Sequence, residues 1–231
     1  MNIDRVTLTG ADDKIDASGL KELSRLYPFV EWGILFSVAK FSSPRYPGFN
    51  KIIEFTKADV PLSAHFCGKY SRDVLENANF FMIESLHPNF KRVQLNYNFG
   101  NSNNWDLKPV IAYAENHPKI SIILQYNKSN AFWLSPLLEN KNLPNNIHFL
   151  YDSSGGRGTV IQNIPIPFGN YTGYSGGISE LNILTVLKKV KDVSVNKSVW
   201  VDMETGVRIQ NDFSLSKCLE VLENCNREFF N

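Results

Sequence analysis

The sequence predicts an α/β fold, namely a single (β/α)8 TIM barrel that spans residues 1–231 as one domain. Short apolar runs alternate with amphipathic segments roughly every 25 to 30 residues, which is typical of strands and helices in a parallel sheet. Eight such units can be counted, and the length of 231 residues is close to the ~250 residues typical of a barrel. An open, doubly wound sheet is the alternative architecture, but the number of units and the length favour closure into a barrel.

Each predicted strand is a short apolar run that ends at a polar or turn-forming residue. The eight runs are residues 6–9, 31–37, 62–67, 92–97, 120–126, 147–151, 170–175 and 199–203. The segment 80–84 fits a helix or a strand equally well. The alternation of these runs with helices implies a parallel sheet, and eight units imply its closure into a barrel.

The predicted helices carry apolar residues at every third or fourth position. They cover residues 17–27, 49–57, 72–78, 107–116, 131–138, 179–190 and 214–229. Pro28 ends the first helix, Ser129 or Asn130 is expected to cap the helix 131–138, and Ser179 the helix 179–190. Residues 153–167 show little helical periodicity, so a loop is expected after the sixth strand.

Composition excludes several classes of partner. The formal net charge is +1, with 24 Lys and Arg against 23 Asp and Glu, so no charged field favours nucleic acid or an anionic membrane. Three cysteines lack the spacing of a metal site, and their small, odd number is typical of a reducing compartment. The sequence shows no secretory signal and no apolar run of ~20 residues. We therefore expect a cytoplasmic protein without metal or cofactor; its oligomeric state is not predicted.

Polar side chains occupy the predicted strand ends, where a barrel carries its site. Asp152 is the best candidate for a general acid or base, since it ends an apolar strand. His65 and Cys67 are two positions apart on one strand and therefore point to the same side. Cysteine and histidine together can form an activated thiolate, although a small buried thiol is the more frequent role of a lone cysteine.

Glycine-bearing loops follow the last three strands. The sixth strand leads into Asp152-Ser153-Ser154-Gly155-Gly156, the seventh into Ser175-Gly176-Gly177, and the eighth into Glu204-Thr205-Gly206. In barrels, the loops after strands 7 and 8 often bind phosphate through backbone N–H groups. The expected partner is therefore a small phosphorylated ligand, with the loop 153–159 covering it.

Short motifs found in the same order along nearly the whole chain resemble those of the phosphoribosylanthranilate isomerase family of tryptophan biosynthesis. They include Val6-Thr7-Leu8-Thr9-Gly10, Gly33-Ile34-Leu35-Phe36, Ser43-Pro44-Arg45-Tyr46, Val93-Gln94-Leu95, Asp152-Ser153 with its glycine loop, Ser175-Gly176-Gly177-Ile178 and Val201-Asp202-Met203-Glu204-Thr205-Gly206-Val207. The family catalyses an Amadori rearrangement of a phosphoribosylated aromatic amine. A general acid protonates the furanose ring oxygen, and a general base removes a proton from the sugar.

The resemblance implies that Asp152 is the general acid and that Arg45 lies beside the substrate. Two family features are replaced: Thr9 stands in place of the catalytic cysteine, and Asn96-Tyr97 stands in place of His-Gly. A threonine hydroxyl is a far poorer base than a thiolate, and loss of a positioned base typically costs ~10²–10⁴-fold in rate. Cys67 is the candidate for a displaced base.

The sequence therefore supports two alternative functions: an aldose–ketose isomerase, and an inactive homologue that binds a phosphoribosyl or nucleotide-type molecule. A different barrel enzyme, built on Cys67 and His65, is a third. The predicted site has three groups: catalytic residues, ligand-binding residues and phosphate-binding residues. They are, in that order, Asp152, Thr9 and Cys67; Arg45, His65, Asn96, Gln125 and Asn127; and Gly155, Gly156, Ser175, Gly176, Gly177, Glu204, Thr205 and Gly206.

Overall fold

The computed structural model describes residues 3–97, 105–138, 140, 142–155 and 159–230. Eight parallel strands follow one another around a closed barrel in chain order, and the last pairs with the first. They are β1 (Ile3–Thr9), β2 (Val30–Phe36), β3 (Leu62–Cys67), β4 (Arg92–Asn96), β5 (Ser121–Tyr126), β6 (Ile147–Asp152), β7 (Thr172–Ser175) and β8 (Val199–Met203). The predicted TIM barrel is confirmed, and each predicted strand overlaps an observed one.

Helices alternate with these strands on the outside of the barrel. They are α1 (Ala17–Leu26), α2 (Phe49–Lys57), α3 (Lys69–Asn77), α4 (Phe81–Leu86), α5 (Lys108–Asn116), α6 (Ala131–Leu138), α7 (Ile183–Val193) and α8 (Leu215–Cys225), which continues into a π-helical turn (Asn226–Phe230). The ambiguous segment 80–84 falls largely in α4. Of the residues described between β6 and β7, none is helical, as the lack of periodicity predicted.

Helix α7 begins later than its pattern predicts. Ser179, the expected N-cap, lies in a turn before the helix, and its carbonyl accepts hydrogen bonds from the N–H groups of Asn182 (3.1 Å) and Ile183 (2.9 Å). Ser179 also forms an isolated parallel bridge with Gly206 in the loop after β8. The first four residues of the predicted helix therefore belong to the loop between β7 and α7.

Side chains alternate between the two faces of the barrel wall. On β1, Val6 and Leu8 belong to the apolar core between strands and helices, whereas Thr7 and Thr9 hydrogen-bond to other strands' inward side chains. Ile123, Leu150 and Trp200 form a small separate apolar cluster. The outer core is therefore apolar, and polar groups are concentrated inside the barrel near the strand ends.

A two-stranded antiparallel hairpin follows β8, formed by β9 (Arg208–Ile209) and β10 (Asp212–Phe213). Within the part of the chain that the structure describes, no helix has the length and apolar character required to cross a membrane.

Candidate active site

A cavity of about 800 Å³ opens at the carboxyl ends of the barrel strands. It brings together most of the residues predicted from the sequence. Those that line it are Thr9, Arg45, His65, Cys67, Asn96, Gln125, Asn127, Asp152, Gly155, Ser175, Gly176, Gly177, Glu204 and Thr205. Gly206 is not part of the lining but supports it from behind, and Gly156 lies outside the described residues.

Asp152 ends β6 and accepts hydrogen bonds from Ser154 and Gln125. Its Oδ1 accepts from the backbone N–H of Ser154 (3.0 Å) and from the Ser154 hydroxyl (2.7 Å), and its Oδ2 accepts from Gln125 Nε2 (2.7 Å). Ser154 follows Asp152 in a tight turn, whereas Gln125 reaches it from the neighbouring strand β5. These contacts fix the carboxyl group at the cavity wall.

A second carboxyl group, that of Asp202 on β8, lies at the same height in the barrel. Asp152 is in register with Ser175 on β7, and Ser175 is in register with Asp202. Two interstrand spacings, roughly 10 Å, therefore separate the backbones that carry these two acids. A ligand in the cavity can touch both.

Asp202 is buried and lies against Thr9 on β1. The Thr9 hydroxyl donates to Asp202 Oδ1 (2.7 Å), and Gln94 Nε2 lies 3.5 Å from Oδ2. Burial raises the pKa of Asp202 to about 7; the hydrogen bond from Thr9 opposes this shift and the charge of Glu204 adds to it. Asp202 thus exchanges a proton near neutral pH, while Thr9 acts as a hydrogen-bond donor.

His65 lies beside this pair. Its Nδ1 is 3.3 Å from Gln94 Nε2 and 3.9 Å from Asp202 Oδ2, and its Nε2 is buried with no hydrogen-bond partner among the described residues. Burial lowers the pKa of His65 to about 4, so the ring is neutral at neutral pH. Gly33 on β2 leaves the space for this packing, because a Cβ at that position would lie 2.9 Å from His65 Cε1.

Cys67 lines the cavity but is not paired with the His65 ring. Its Sγ lies 3.7 Å from Asn96 Nδ2 and receives a hydrogen bond from the Tyr46 hydroxyl. Burial raises the pKa of the thiol to about 11, so the thiol is protonated at neutral pH. The catalytic role of Cys67 stays a prediction that these surroundings do not favour, since the thiolate is the reactive form.

Arg45 reaches the cavity from the loop after β2. Its Nη1 forms an ion pair with Glu204 Oε1 (2.7 Å), and its Nε donates to Asn211 Oδ1 in the hairpin (3.1 Å). Glu204, predicted to lie at a phosphate site, therefore partly neutralises Arg45. Lys40 is the other basic residue in the described lining of the cavity.

The loops after β7 and β8 form one continuous surface. The Ser179–Gly206 bridge joins them, and a Cβ on Gly206 would overlap Ile178 O and lie 2.7 Å from Ser179 Cα, so only glycine allows this approach. The carbonyl of Gly176 accepts from the N–H of Ile161 (3.1 Å), and that of Gly177 from Asn182 Nδ2 (2.9 Å). The glycine loops are thereby held in place beside Ser175 and Thr205.

The side-chain oxygen of Asn127 is hydrogen-bonded within its own loop. Its Oδ1 accepts from the N–H groups of Ser129 (2.9 Å) and Asn130 (3.1 Å) and so holds the turn that precedes α6. The side chain of Asn130 in turn donates to the carbonyls of Tyr97 (2.7 Å) and Gln125 (3.0 Å). Both residues stabilise the rim of the cavity.

The site also contains residues outside the predicted set. Gln94 and Tyr46 line the cavity, and Asn211 contacts Arg45. Gln94 could have been found from strand alternation, because it lies two positions before Asn96 on β4. The position of Asn211 has no local sequence signal. Among the described residues there is no group of three or more His, Cys, Asp or Glu that could hold a metal ion.

Comparison with known proteins supports the fold. No protein-family model matches the sequence, and no curated protein matches it. Among solved structures, N-(5'-phosphoribosyl)anthranilate isomerase from Pyrococcus furiosus superposes with a TM-score of 0.58 at 15% identity, covering 96% of this chain and 98% of that one. Phosphoribosyl anthranilate isomerase from Thermococcus kodakaraensis gives a TM-score of 0.57 at 14% identity, covering 97% and 99%. The chain therefore has the barrel fold found in phosphoribosylanthranilate isomerases.

Proposed function

We propose that the protein binds a phosphorylated ribose compound that carries an amine, and converts it from aldose to ketose by an Amadori-type isomerisation. The observation that carries this proposal is that Asp152, from the motif that resembles the family's general acid, shares one cavity with the joined glycine loops after β7 and β8. An acid and an anion-binding surface in one cavity suit a phosphorylated sugar.

The phosphate group belongs at the joined loops. Backbone N–H groups of Gly176, Gly177 and Thr205 can approach an anion closely there, with Gly206 supporting the loop. Glu204 opposes an anion, but its charge is offset by the ion pair with Arg45. Lys40 supplies a further positive charge in the lining of the cavity.

Asp152 would protonate the furanose ring oxygen and so open the ring. Its Oδ1 accepts from the Ser154 N–H and hydroxyl, and Oδ2 would be the oxygen that exchanges a proton with the ligand. Gln125 holds that oxygen toward the cavity from β5. Polar residues nearby, Asn96 among them, are available to hydrogen-bond the ring of the amine.

Binding without turnover is the second candidate, and one observation favours it. The Thr9 hydroxyl donates to Asp202 and so is not placed to act as a base, and the sequence resemblance implies that Thr9 stands where the family has its catalytic cysteine. If no other group serves as base, the protein would hold or sequester the phosphorylated ligand unchanged.

Thermal-shift measurements with ribose 5-phosphate, ribose, inorganic phosphate and phosphoribosylanthranilate test whether the cavity takes this class of ligand. Incubation with phosphoribosylanthranilate, followed by ¹H NMR, then shows whether the anomeric proton signal disappears as the ketose forms. Asp152→Asn should bind but not convert, and Asp192→Asn, exposed on α7, is the matched control. Stabilisation with the ligand recovered unchanged would support the second candidate, and no stabilisation by either phosphorylated ribose compound would exclude both.

A further inference from the structure

The proposed isomerisation requires a group that accepts a proton from the sugar, and this inference rests on that proposed function. Thr9 is unsuited to the task, because its hydroxyl donates its hydrogen to Asp202 Oδ1. Cys67 is unsuited as well, because burial keeps the thiol protonated. The proton acceptor must therefore be sought among the other groups that line the cavity.

We propose that Asp202 is the general base of this site, with its carboxylate held in place by Thr9. Asp202 lines the cavity at the end of β8, directly beside the residue that replaces the family's catalytic cysteine. Thr9 donates to Oδ1 at 2.7 Å, whereas the contacts of Oδ2 with described residues are long, 3.5 Å to Gln94 Nε2 and 3.9 Å to His65 Nδ1. Oδ2 is the oxygen that acts on the ligand.

The proton transfer can be written with all atoms accounted for. After ring opening, the sugar carries a protonated imine. Asp202 Oδ2 takes the proton from the carbon next to the imine carbon, and the electron pair of that C–H bond becomes the C=C bond of an enol. The π electrons of the imine move to nitrogen, which loses its positive charge. Protonation of the former imine carbon and loss of the enol O–H proton then give the ketose.

The surroundings of Asp202 adapt it to this role. Three titratable groups face it from neighbouring elements: His65 on β3, Glu31 on β2 and Glu204 after β8. Because His65 is kept neutral by burial, no cation among the described residues forms an ion pair with the Asp202 carboxylate, and the two glutamates raise its proton affinity. A base is most effective when its pKa lies near the working pH, which is the case for Asp202. The positive imine favours the ionised carboxylate while the reaction proceeds.

Four variants test the assignment with phosphoribosylanthranilate as the probe. Asp202→Asn should bind within about threefold of wild type but lose ~10²–10⁴-fold in kcat, the usual contribution of a positioned base. Asp192→Asn should match wild type. In wild type, kcat/KM should rise with pH through about 7 as Asp202 ionises. Thr9→Val removes the hydrogen bond that favours the carboxylate, so this rise should move to higher pH, and Thr9→Ser should restore it.

The outcomes separate this inference from the proposed function. If wild type neither binds nor converts the probe, the proposed function is wrong and Asp202 has no reaction to serve. If wild type converts it and Asp202→Asn does so at an unchanged kcat, the function stands and the assignment of the base is wrong. If wild type binds without conversion, the protein is a binder and Asp202 is not a base. Should Asp202→Asn fail to fold, an unchanged pH profile in Thr9→Val would still contradict the proposal.

Discussion

Replacing Gly33 by alanine tests how tightly the barrel interior is packed around Thr9. Gly33 on β2 is in register with Thr9 on β1. An added Cβ would overlap Thr9 Oγ1 and would lie 2.9 Å from His65 Cε1 and 3.0 Å from His65 Nε2. Thr9 and His65 are 2% and 1% exposed and belong to barrel strands, so neither can move into solvent. We expect the methyl group to displace Thr9.

The magnitude follows from two effects. Overpacking a well-packed core costs about 1–3 kcal/mol. Displacing the Thr9 hydroxyl also breaks its hydrogen bond to a carboxyl group that remains buried, and a hydrogen bond to a charged group contributes about 1.5–3 kcal/mol. Gly33→Ala should therefore lower the free energy of unfolding by about 2.5–6 kcal/mol.

Urea denaturation followed by circular dichroism measures this loss. Gly19→Ala on α1 is the matched control, because a Cβ there meets only the tip of the flexible Leu215 side chain. A double-mutant cycle with Thr9→Ala isolates the contact, since removal of Oγ1 relieves the overlap. The double variant should be more stable than the two single losses predict, by about 1 kcal/mol or more. A loss below about 1 kcal/mol in Gly33→Ala, or an additive cycle, would refute this account of the interior.

Three further predictions follow. Gly206→Ala should push the loops after β7 and β8 apart and weaken binding of ribose 5-phosphate about tenfold or more in isothermal titration calorimetry, which is at least about 1.4 kcal/mol. Arg208→Met should lower the free energy of unfolding by about 3–5 kcal/mol in urea denaturation, because it leaves Asp12 buried without its 2.7 Å partner. Between pH 7 and pH 4, Asp202→Asn should lose more stability than wild type in the same assay. The lowered pKa of His65 makes folding less favourable as pH falls from 6.5 through about 4, and the raised pKa of Asp202 offsets this in wild type.

The barrel was predictable because short, apolar-rich strands alternate regularly with amphipathic helices, a pattern that depends on local sequence alone. The sequence predicts the start of α7 four residues too early. Serine is a favoured N-cap residue, but the backbone of Ser179 pairs with Gly206 after β8 instead of starting the helix. The hairpin β9–β10 was missed because its strands have two residues each, too few for an alternating pattern.

Most of the candidate site could be predicted from the polar residues at the strand ends, because closure of any parallel barrel brings these ends together. The pairs inside the site were not predictable. Thr9 and Asp202 are 193 positions apart and meet only because β8 pairs with β1. Likewise, Arg45 was expected to face a ligand, and its ion pair with Glu204 depends on how two separate loops fold over the barrel. Such pairs depend on register and on loop conformation.

The two carboxyl groups of the cavity differ in their surroundings, and this difference gives the sign of the pH dependence. Asp152 accepts hydrogen bonds from Ser154 and Gln125, whereas Asp202 is buried near Glu31 and Glu204 and carries a raised pKa. If Asp202 supplied the proton that opens the ring, kcat/KM would fall as pH rises through about 7. As a base it must first be ionised, so kcat/KM must rise over the same range. The direction in which kcat/KM changes near pH 7 therefore decides which aspartate is the general base and which is the general acid. A decrease that Asp202→Asn abolishes would make Asp202 the acid and Asp152 the base.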